Sequence, residues 1–249
     1  MTTPAMHGRV ALVTGGGSGL GRATCVAFAE AGAHVIAADV DATKAEATLA
    51  QVQAAGGSAE AVHLDVTDAA EVATVLATSF EKHGTALDCL VNNAGTDRGA
   101  DLVDIDDDAW HGVFGVNVHG PMYLSRAFVR HRLALETPPD TVADLVFVVS
   151  ISALTVGAGA AAYNASKAAL GKFAEIVQTE AREHSWPVRV SSIHPAAMAT
   201  PMMDQWGLPP ERMMDPAIVA GVIRHAVTLP PEAVLQNAIP TLRNEYFPR

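Results

Sequence analysis

Tyr163 and Lys167 stand four residues apart in a stretch, Ala162–His184, whose apolar residues recur at helical spacing. That spacing puts both side chains on one helix face. An ammonium beside a phenol favours the phenolate, so the pairing predicts a lowered phenol pKa. Such a phenol can donate a proton to a carbonyl oxygen as hydride reaches the carbon, and can take it back in the alcohol direction. Ser150 lies thirteen residues before Tyr163, at the end of the apolar run Leu145–Ser150, where its hydroxyl can bond the same oxygen. Lys167 can also bond a ribose hydroxyl. A Tyr–Lys pair at this spacing also occurs on solvent-exposed helices, so its meaning depends on the rest of the chain.

The rest of the chain supplies a phosphate cradle. Thr14-Gly15-Gly16-Gly17-Ser18-Gly19-Leu20-Gly21 lies between a strand-like run, Arg9–Thr14, and a helical pattern, Gly19–Ala31. Glycines permit a tight turn and close backbone approach, and a helix N-terminus offers unpaired amides to a dinucleotide pyrophosphate. The strand–turn–helix context separates this cluster from an ordinary turn. Asp39 closes the next strand, 18 residues beyond Gly21. A carboxylate there can accept both hydroxyls of an adenosine ribose and repels a 2'-phosphate. Val40 rather than a basic residue follows it, and Ser18 is uncharged, so the pattern favours NAD over NADP. The competing role for Asp39 is to cap the helix that starts near Asp41. Asp65 and Val66, after the third strand, can meet the adenine amino group and face, although an Asp in such a loop also forms turns. In Asn92-Asn93-Ala94-Gly95, at the end of the fourth strand, Asn can tie irregular backbone and Gly95 admits a ligand closely.

These residues need a frame, and hydrophobic periodicity outlines it. Helical patterns cover Gly19–Ala31, Ala42–Ala55, Asp68–His83, Asp106 to about Leu135 with a break at Gly120-Pro121, Ala162–His184, and about Pro216–Leu229. Strand patterns cover Arg9–Thr14, His34–Asp39, Ala59–His63, Leu87–Asn92, Leu145–Ser150, Pro187–His194, and a last one near Val234–Ile239. Thr137–Ala143, with two prolines, reads as a loop. Strands that are apolar throughout and alternate with helices imply an α/β fold, a doubly wound parallel sheet of about seven strands with helices on both faces. No linker, repeat or low-complexity tract divides residues 1–249, which predicts a single domain.

Together these motifs resemble the classical short-chain dehydrogenases/reductases over roughly Arg9 to Met202. Thr14, Gly15, Gly19 and Gly21 match the cofactor motif, Asn92 to Gly95 the strand-end signature, and Ser150, Tyr163 and Lys167 the catalytic residues. Asn117, within Val116-Asn117-Val118, matches the fourth catalytic residue. In the family that Asn bonds main chain and helps hold a water beside the lysine, completing a proton relay. The resemblance implies a Rossmann-type domain with an NAD(P) site lined by Gly15, Gly17, Ser18, Gly19, Leu20, Gly21, Asp39, Val40, Asp65, Val66, Asn93, Ala94, Gly95, Tyr163, Lys167, Pro195, Ala196, Met198 and Thr200. Thr200 matches the threonine that meets the nicotinamide amide. Two departures stand out. Pro195-Ala196 replaces the usual Pro-Gly, and a positive φ at Ala196 would be costly. The tail Ala233–Arg249 lacks the family's common ending, which puts its usual subunit packing in doubt. The resemblance otherwise implies a homodimer or homotetramer built on the helices 106–135 and 162–184.

The resemblance also makes the segment of about 198–215 a lid over the substrate. Met198, Met202, Met203, Trp206, Leu208, Met213 and Met214 crowd it, which suits an apolar or cyclic ketone or secondary alcohol; alternatively they only pack the lid. The expected reaction is NAD-dependent interconversion of a secondary alcohol and a ketone, with Tyr163 as general acid/base. The rival readings are a catalytically silent or regulatory dinucleotide-binding protein, and an enzyme using bound NAD for epimerisation or dehydration. A formal net charge of −11 disfavours nucleic-acid and anionic-membrane partners. Ten histidines without HExxH spacing, and two cysteines without paired spacing, give no metal signature. The apolar runs are strand-sized and the N-terminus has no secretory pattern, so a cytoplasmic enzyme is expected.

Overall fold

Alternation decides the core. In strands Val10–Thr14 (β1), Leu87–Asn92 (β4) and Ala143–Val148 (β5) every residue is buried, as strands covered on both faces must be. Successive side chains go to opposite faces. Leu12, Leu90, Leu145 and Phe147 enter one apolar layer, whereas Ala11, Val13, Val91, Val146 and Val148 enter the other. The computed structural model describes residues 5–135 and 142–244.

The remaining strands are His34–Asp39 (β2), Ser58–His63 (β3), Val188–Ile193 (β6) and Asn237–Ala238 (β7). All seven are parallel in the order β3-β2-β1-β4-β5-β6-β7. The order turns back between β1 and β4, and such a switch opens a crevice at the carboxyl ends of the strands. Helices Gly19–Glu30 (α1) and Pro216–Val227 (α7) lie side by side on one face through Cys25, Phe28, Val219 and Ile223. Ala42–Ala54 (α2) packs on α1 and β3. Ala69–His83 (α3), Gly120–Leu133 (α5) and Ala161–Glu183 (α6) cover the other face through Leu76, Phe80, Leu124, Phe128, Leu170 and Ala174. Asp68 caps α3 by accepting from the amides of Ala70 and Glu71.

At the amino ends of the strands a charge cluster ties the sheet to α7. Arg9 bonds Asp88 and Asp144, and Arg189 bonds Asp144 through Nε at 2.7 Å and the carbonyls of Leu229, Pro230 and Ala233. Cys25 and Cys89 are free and buried.

The expected break at Gly120-Pro121 falls elsewhere. Asp107–Phe114 (α4) runs into a π-turn, Gly115–His119, and directly on into α5. Gly120 N–H bonds Gly115 O, five residues back. Gly120 serves packing rather than breakage, since a Cβ there would sit 2.8 Å from Val66 Cγ2. Pro121 follows just after the π-turn, at the first positions of α5. β5 ends two residues earlier than expected, so Ser150 lies beyond the strand at the cap of a short 3₁₀ turn, Ile151–Ala153. The last strand shrinks from Val234–Ile239 to two residues at the sheet edge, with Pro240 just beyond. Residues 137–141 of the expected loop lie outside the described residues, and Ala143 already belongs to β5.

Candidate active site

The glycine turn leaves β1 and enters α1 at the carboxyl edge of the sheet. Its glycines are required by close approach from all sides. A Cβ on Gly21 would lie 2.0 Å from Gly15 O, and one on Gly17 would lie 2.6 Å from Lys44 Cβ and 2.8 Å from Asp39 Oδ2. Ser18 is the N-cap of α1 but its side chain makes no capping bond, and the first turn holds no acidic residue. The α1 amides are thus left for an external anion. This cradle fits the diphosphate of a dinucleotide. Leu20 is buried beneath it.

Asp39 closes β2 beside the turn. Its Oδ2 accepts from Gly17 N at 2.9 Å, and Oδ1 from Asp41 N at 2.9 Å. The cap of α2 is Asp41, which accepts from Lys44 N, so capping is not the task of Asp39. Val40 points outward, 62% exposed. Asp65 Oδ1 accepts from both the backbone and hydroxyl of Thr67, a turn-forming role. Val66 is buried against Gly120. Asn93 Nδ2 donates to Thr14 O at 2.8 Å, and Thr14 Oγ1 accepts from the amides of Asn93 and Ala94, so the end of β4 is stitched to the start of the glycine turn.

The chemical residues converge from four elements. Ser150 follows β5, Tyr163 and Lys167 come from α6, Asn117 from the π-turn, and Gly95 from the loop after β4. Lys167 Nζ donates to Val148 O at 3.0 Å and lies 5.7 Å from the centre of the Tyr163 ring. A Cβ on Gly95 would stand 3.4 Å from Asn117 Oδ1 and 3.5 Å from Lys167 Nζ. Asn117 is fully buried; its Oδ1 accepts from Thr96 N at 2.9 Å, and Nδ2 donates to Thr96 O at 2.9 Å and Ser166 Oγ at 3.0 Å. The π-turn widens the helix at the point where this side chain turns inward, a frequent device at functional sites.

The expectation of a lowered phenol pKa is overturned for the cofactor-free protein. Burial pushes Tyr163 up to about 12, with a hydrogen bond from Ser150 opposing and Asp97 reinforcing. Burial also pulls Lys167 down to about 8, against the raising effect of Asp97. Desolvation dominates both groups, and Nζ donates its hydrogen bond to Val148 O.

Ala196 carries no strain. Ser185 is the sole non-glycine residue at positive φ among the described residues, and Ala196 N donates to Pro240 O. Pro195 O accepts from Ile151 N, which anchors the Ser150 turn. The lid segment consists of two 3₁₀ turns, Pro201–Trp206 and Pro210–Arg212, closed at its base by a bridge between Met198 and Met214. Thr200 Cγ2 packs toward Gly19, linking lid and glycine turn. Trp206 walls an open cleft of about 320 Å³ with Gly99, Ala100, Asp101, Gly159 and Gln205. Sequence reasoning missed Asp97, which is 5% exposed and accepts from Trp206 Nε1 at 3.1 Å. Its signal was position, two residues past the Asn-Ala-Gly segment. His34, Glu60 and His83 gather near the outer edge of the sheet with ligand atoms within 4.8 Å of one another, and there Glu60 is bonded by Lys82 and His83.

Comparison with known proteins agrees with this fold. The family described as short chain dehydrogenase matches residues 9–210. A short chain dehydrogenase/reductase, dpchG, of Colletotrichum higginsianum is 39% identical over 164 residues, 65% of this chain and 59% of that protein's length. A cyclopentanol dehydrogenase of Comamonas sp. is 34% identical over 207 residues, 80% of this chain and 77% of that protein. The crystal structure of a metagenomic short-chain oxidoreductase in complex with NADP superposes with TM-score 0.81 at 28% identity, covering 96% of this chain and all of the other. No helix among the described residues is long and apolar enough to cross a membrane. The chain belongs to the short-chain dehydrogenase/reductase family of NAD(P)-dependent oxidoreductases acting on CH–OH and C=O groups.

Proposed function

We propose that the protein interconverts a secondary alcohol and a ketone with NAD, and that Tyr163 is its general acid/base. The observation that carries this reading is the convergence of Ser150, Tyr163, Lys167 and Asn117 beside a glycine turn shaped for a diphosphate. When bound, the oxidised nicotinamide supplies a hydride acceptor and a positive charge. In alcohol oxidation Tyr163 receives the hydroxyl proton, and in ketone reduction it returns one. Ser150, within hydrogen-bonding reach of Tyr163, orients the substrate oxygen. Lys167 and Asn117 position the phenol and its proton path. The Met-rich lid segment suits a cyclic or apolar-bodied substrate, in keeping with the name of the Comamonas relative.

The preference for NAD rests on Asp39. Its carboxylate lies against Gly17, where a 2'-phosphate would be repelled. Nearby cations are engaged elsewhere: Lys44 pairs with Asp41 at 3.1 Å, and Arg22 bonds Gly17 O and Thr48. We also propose a homodimer or homotetramer. A panel of ketones and alcohols, assayed by nicotinamide absorbance with all four cofactor forms, tests the reading. NAD-linked turnover of secondary alcohols supports it; binding of NADP tighter than NAD refutes the cofactor assignment, and cofactor binding without turnover of any member refutes the enzyme.

A further inference from the structure

Asp97 occupies an unusual position for a buried carboxylate. One oxygen, Oδ2, holds the lid by accepting from Trp206 Nε1 at 3.1 Å. The other, Oδ1, is buried and has no hydrogen-bond partner. Natural proteins rarely leave a buried polar atom unpaired, and a charged one least of all. The nearest basic side chain does not fill the gap: Arg98 reaches the backbone carbonyl of Asp97.

The carboxylate is also held in place. The preceding residue, Thr96, is clamped by two hydrogen bonds with Asn117, donating one and accepting the other, and Ala100 bridges to Ala160 just before α6. Gly95 lies beside Lys167 Nζ, and the charge of Asp97 acts on both Tyr163 and Lys167. Through its bond from Trp206, Asp97 thus joins the surroundings of the reacting pair to one wall of the cleft.

We propose that Asp97 is a substrate-recognition residue whose free Oδ1 accepts a hydrogen bond from a second hydroxyl on the substrate, so that the preferred substrates are diols or hydroxyketones with a compact, largely apolar body. This deepens, and rests on, the alcohol–ketone reading above. The electrostatics of the cleft mouth agree with a neutral substrate. Asp101, Asp104, Asp106, Asp107 and Asp108 are exposed along the same loop and the start of α4, with Arg98 as the cation between Asp97 and Asp108, so anionic substrates meet repulsion. The acceptor departs from the purely apolar cleft that the Met-rich lid alone suggests.

The test compares cyclopentanol with cyclopentane-1,2- and 1,3-diols, and with the matching amino alcohols, as substrates of the holoenzyme. A hydrogen bond to the Asp97 carboxyl predicts a kcat/KM preference of about 10- to 100-fold for the better-placed diol over the mono-ol. Asp97→Ala should collapse this ratio to near one. Asp97→Asn keeps an acceptor for Trp206 but lacks the charge, and should reduce the ratio in part. Trp206→Phe removes the lid bond but leaves the carboxylate, and should retain the ratio. An amino alcohol preferred over every diol would overturn the hydroxyl assignment. Equal rates for mono-ol and diols in wild type would overturn the proposal. An equal loss on all substrates in Asp97→Ala, with a shifted pH profile, would mean that Asp97 serves Lys167 and would overturn it as well. If no alcohol is turned over, the oxidoreductase reading fails, and Asp97 is judged by calorimetric binding to the cofactor complex: a diol bound no tighter by wild type than by Asp97→Ala overturns the proposal.

Discussion

Replacing Asn117 by alanine probes whether the chemical residues are held by hydrogen bonds or merely by packing. The side chain is fully buried and makes three bonds, to Thr96 N, Thr96 O and Ser166 Oγ, at 2.9–3.0 Å. Alanine removes all three and strips the N–H and C=O of half-buried Thr96 of their side-chain partner. Each group so stripped costs about 1–3 kcal/mol, so the variant should lose about 3–5 kcal/mol in all. For a chain of this size 1 kcal/mol lowers Tm by about 2–4 °C, which gives a drop on the order of 10 °C. A domain with the usual stability of about 5–15 kcal/mol survives that loss at room temperature, so turnover can still be measured. The released Thr96 loop carries Asp97 and flanks Gly95 beside Lys167, so kcat should fall and KM should rise together. Calorimetric unfolding of the cofactor-free protein, with steady-state kinetics, is the assay. A Tm within 2 °C of wild type and unchanged kinetics would refute the reasoning, since the bonds would then hold nothing.

Further outcomes follow from the same geometry. Gly21→Ala forces a Cβ to 2.0 Å from Gly15 O, so it should abolish cofactor binding in equilibrium titration while circular dichroism still reports an α/β fold. Asp144→Ala strands the buried guanidinium of Arg189 and should cost about 3–5 kcal/mol in denaturant unfolding. Asp39→Ala should weaken NAD and narrow its advantage over NADP; a widened advantage would contradict the ribose assignment. Lys167 has a folded pKa of about 8, below its ordinary value of 10.5, so between these pH values the unfolded chain binds the extra proton and stability rises with pH. The gain approaches about 3 kcal/mol by pH 10.5 and should be absent from Lys167→Met in paired unfolding curves. Sedimentation should give a dimer or tetramer; a 26 kDa species alone would contradict that proposal.

The central strands were legible because they are buried on both faces and end in glycine or polar turns. Val10–Thr14, His34–Asp39 and Leu87–Asn92 needed only the apolar period and the turn chemistry. What sequence could not give was set by tertiary contacts. Gly120-Pro121 looked like a helix break, but Val66 packs against that glycine and the irregularity moves to the π-turn at Asn117. The edge strand β7 has one neighbour, so few ladder bonds sustain it. Ser150, Tyr163 and Lys167 were singled out by type and spacing, and Asn117 by the family resemblance alone, whereas the balance of burial against charge on the phenol was not legible and its shift runs opposite to the expected one. Asp97 offered only its position after the Asn-Ala-Gly segment, because the oxygen left unpaired is set by the fold.

The most direct test of the central claim is single-turnover hydride transfer by stopped flow in wild type and Tyr163→Phe, with cofactor affinity measured alongside. The ring remains and still packs beside Lys167, while the proton-carrying hydroxyl is gone. Transfer should slow by about 10²–10⁴-fold, the usual loss for a placed general acid, with cofactor affinity unchanged. Equal transfer rates in the two proteins would contradict the assignment of Tyr163 and the mechanism built on it.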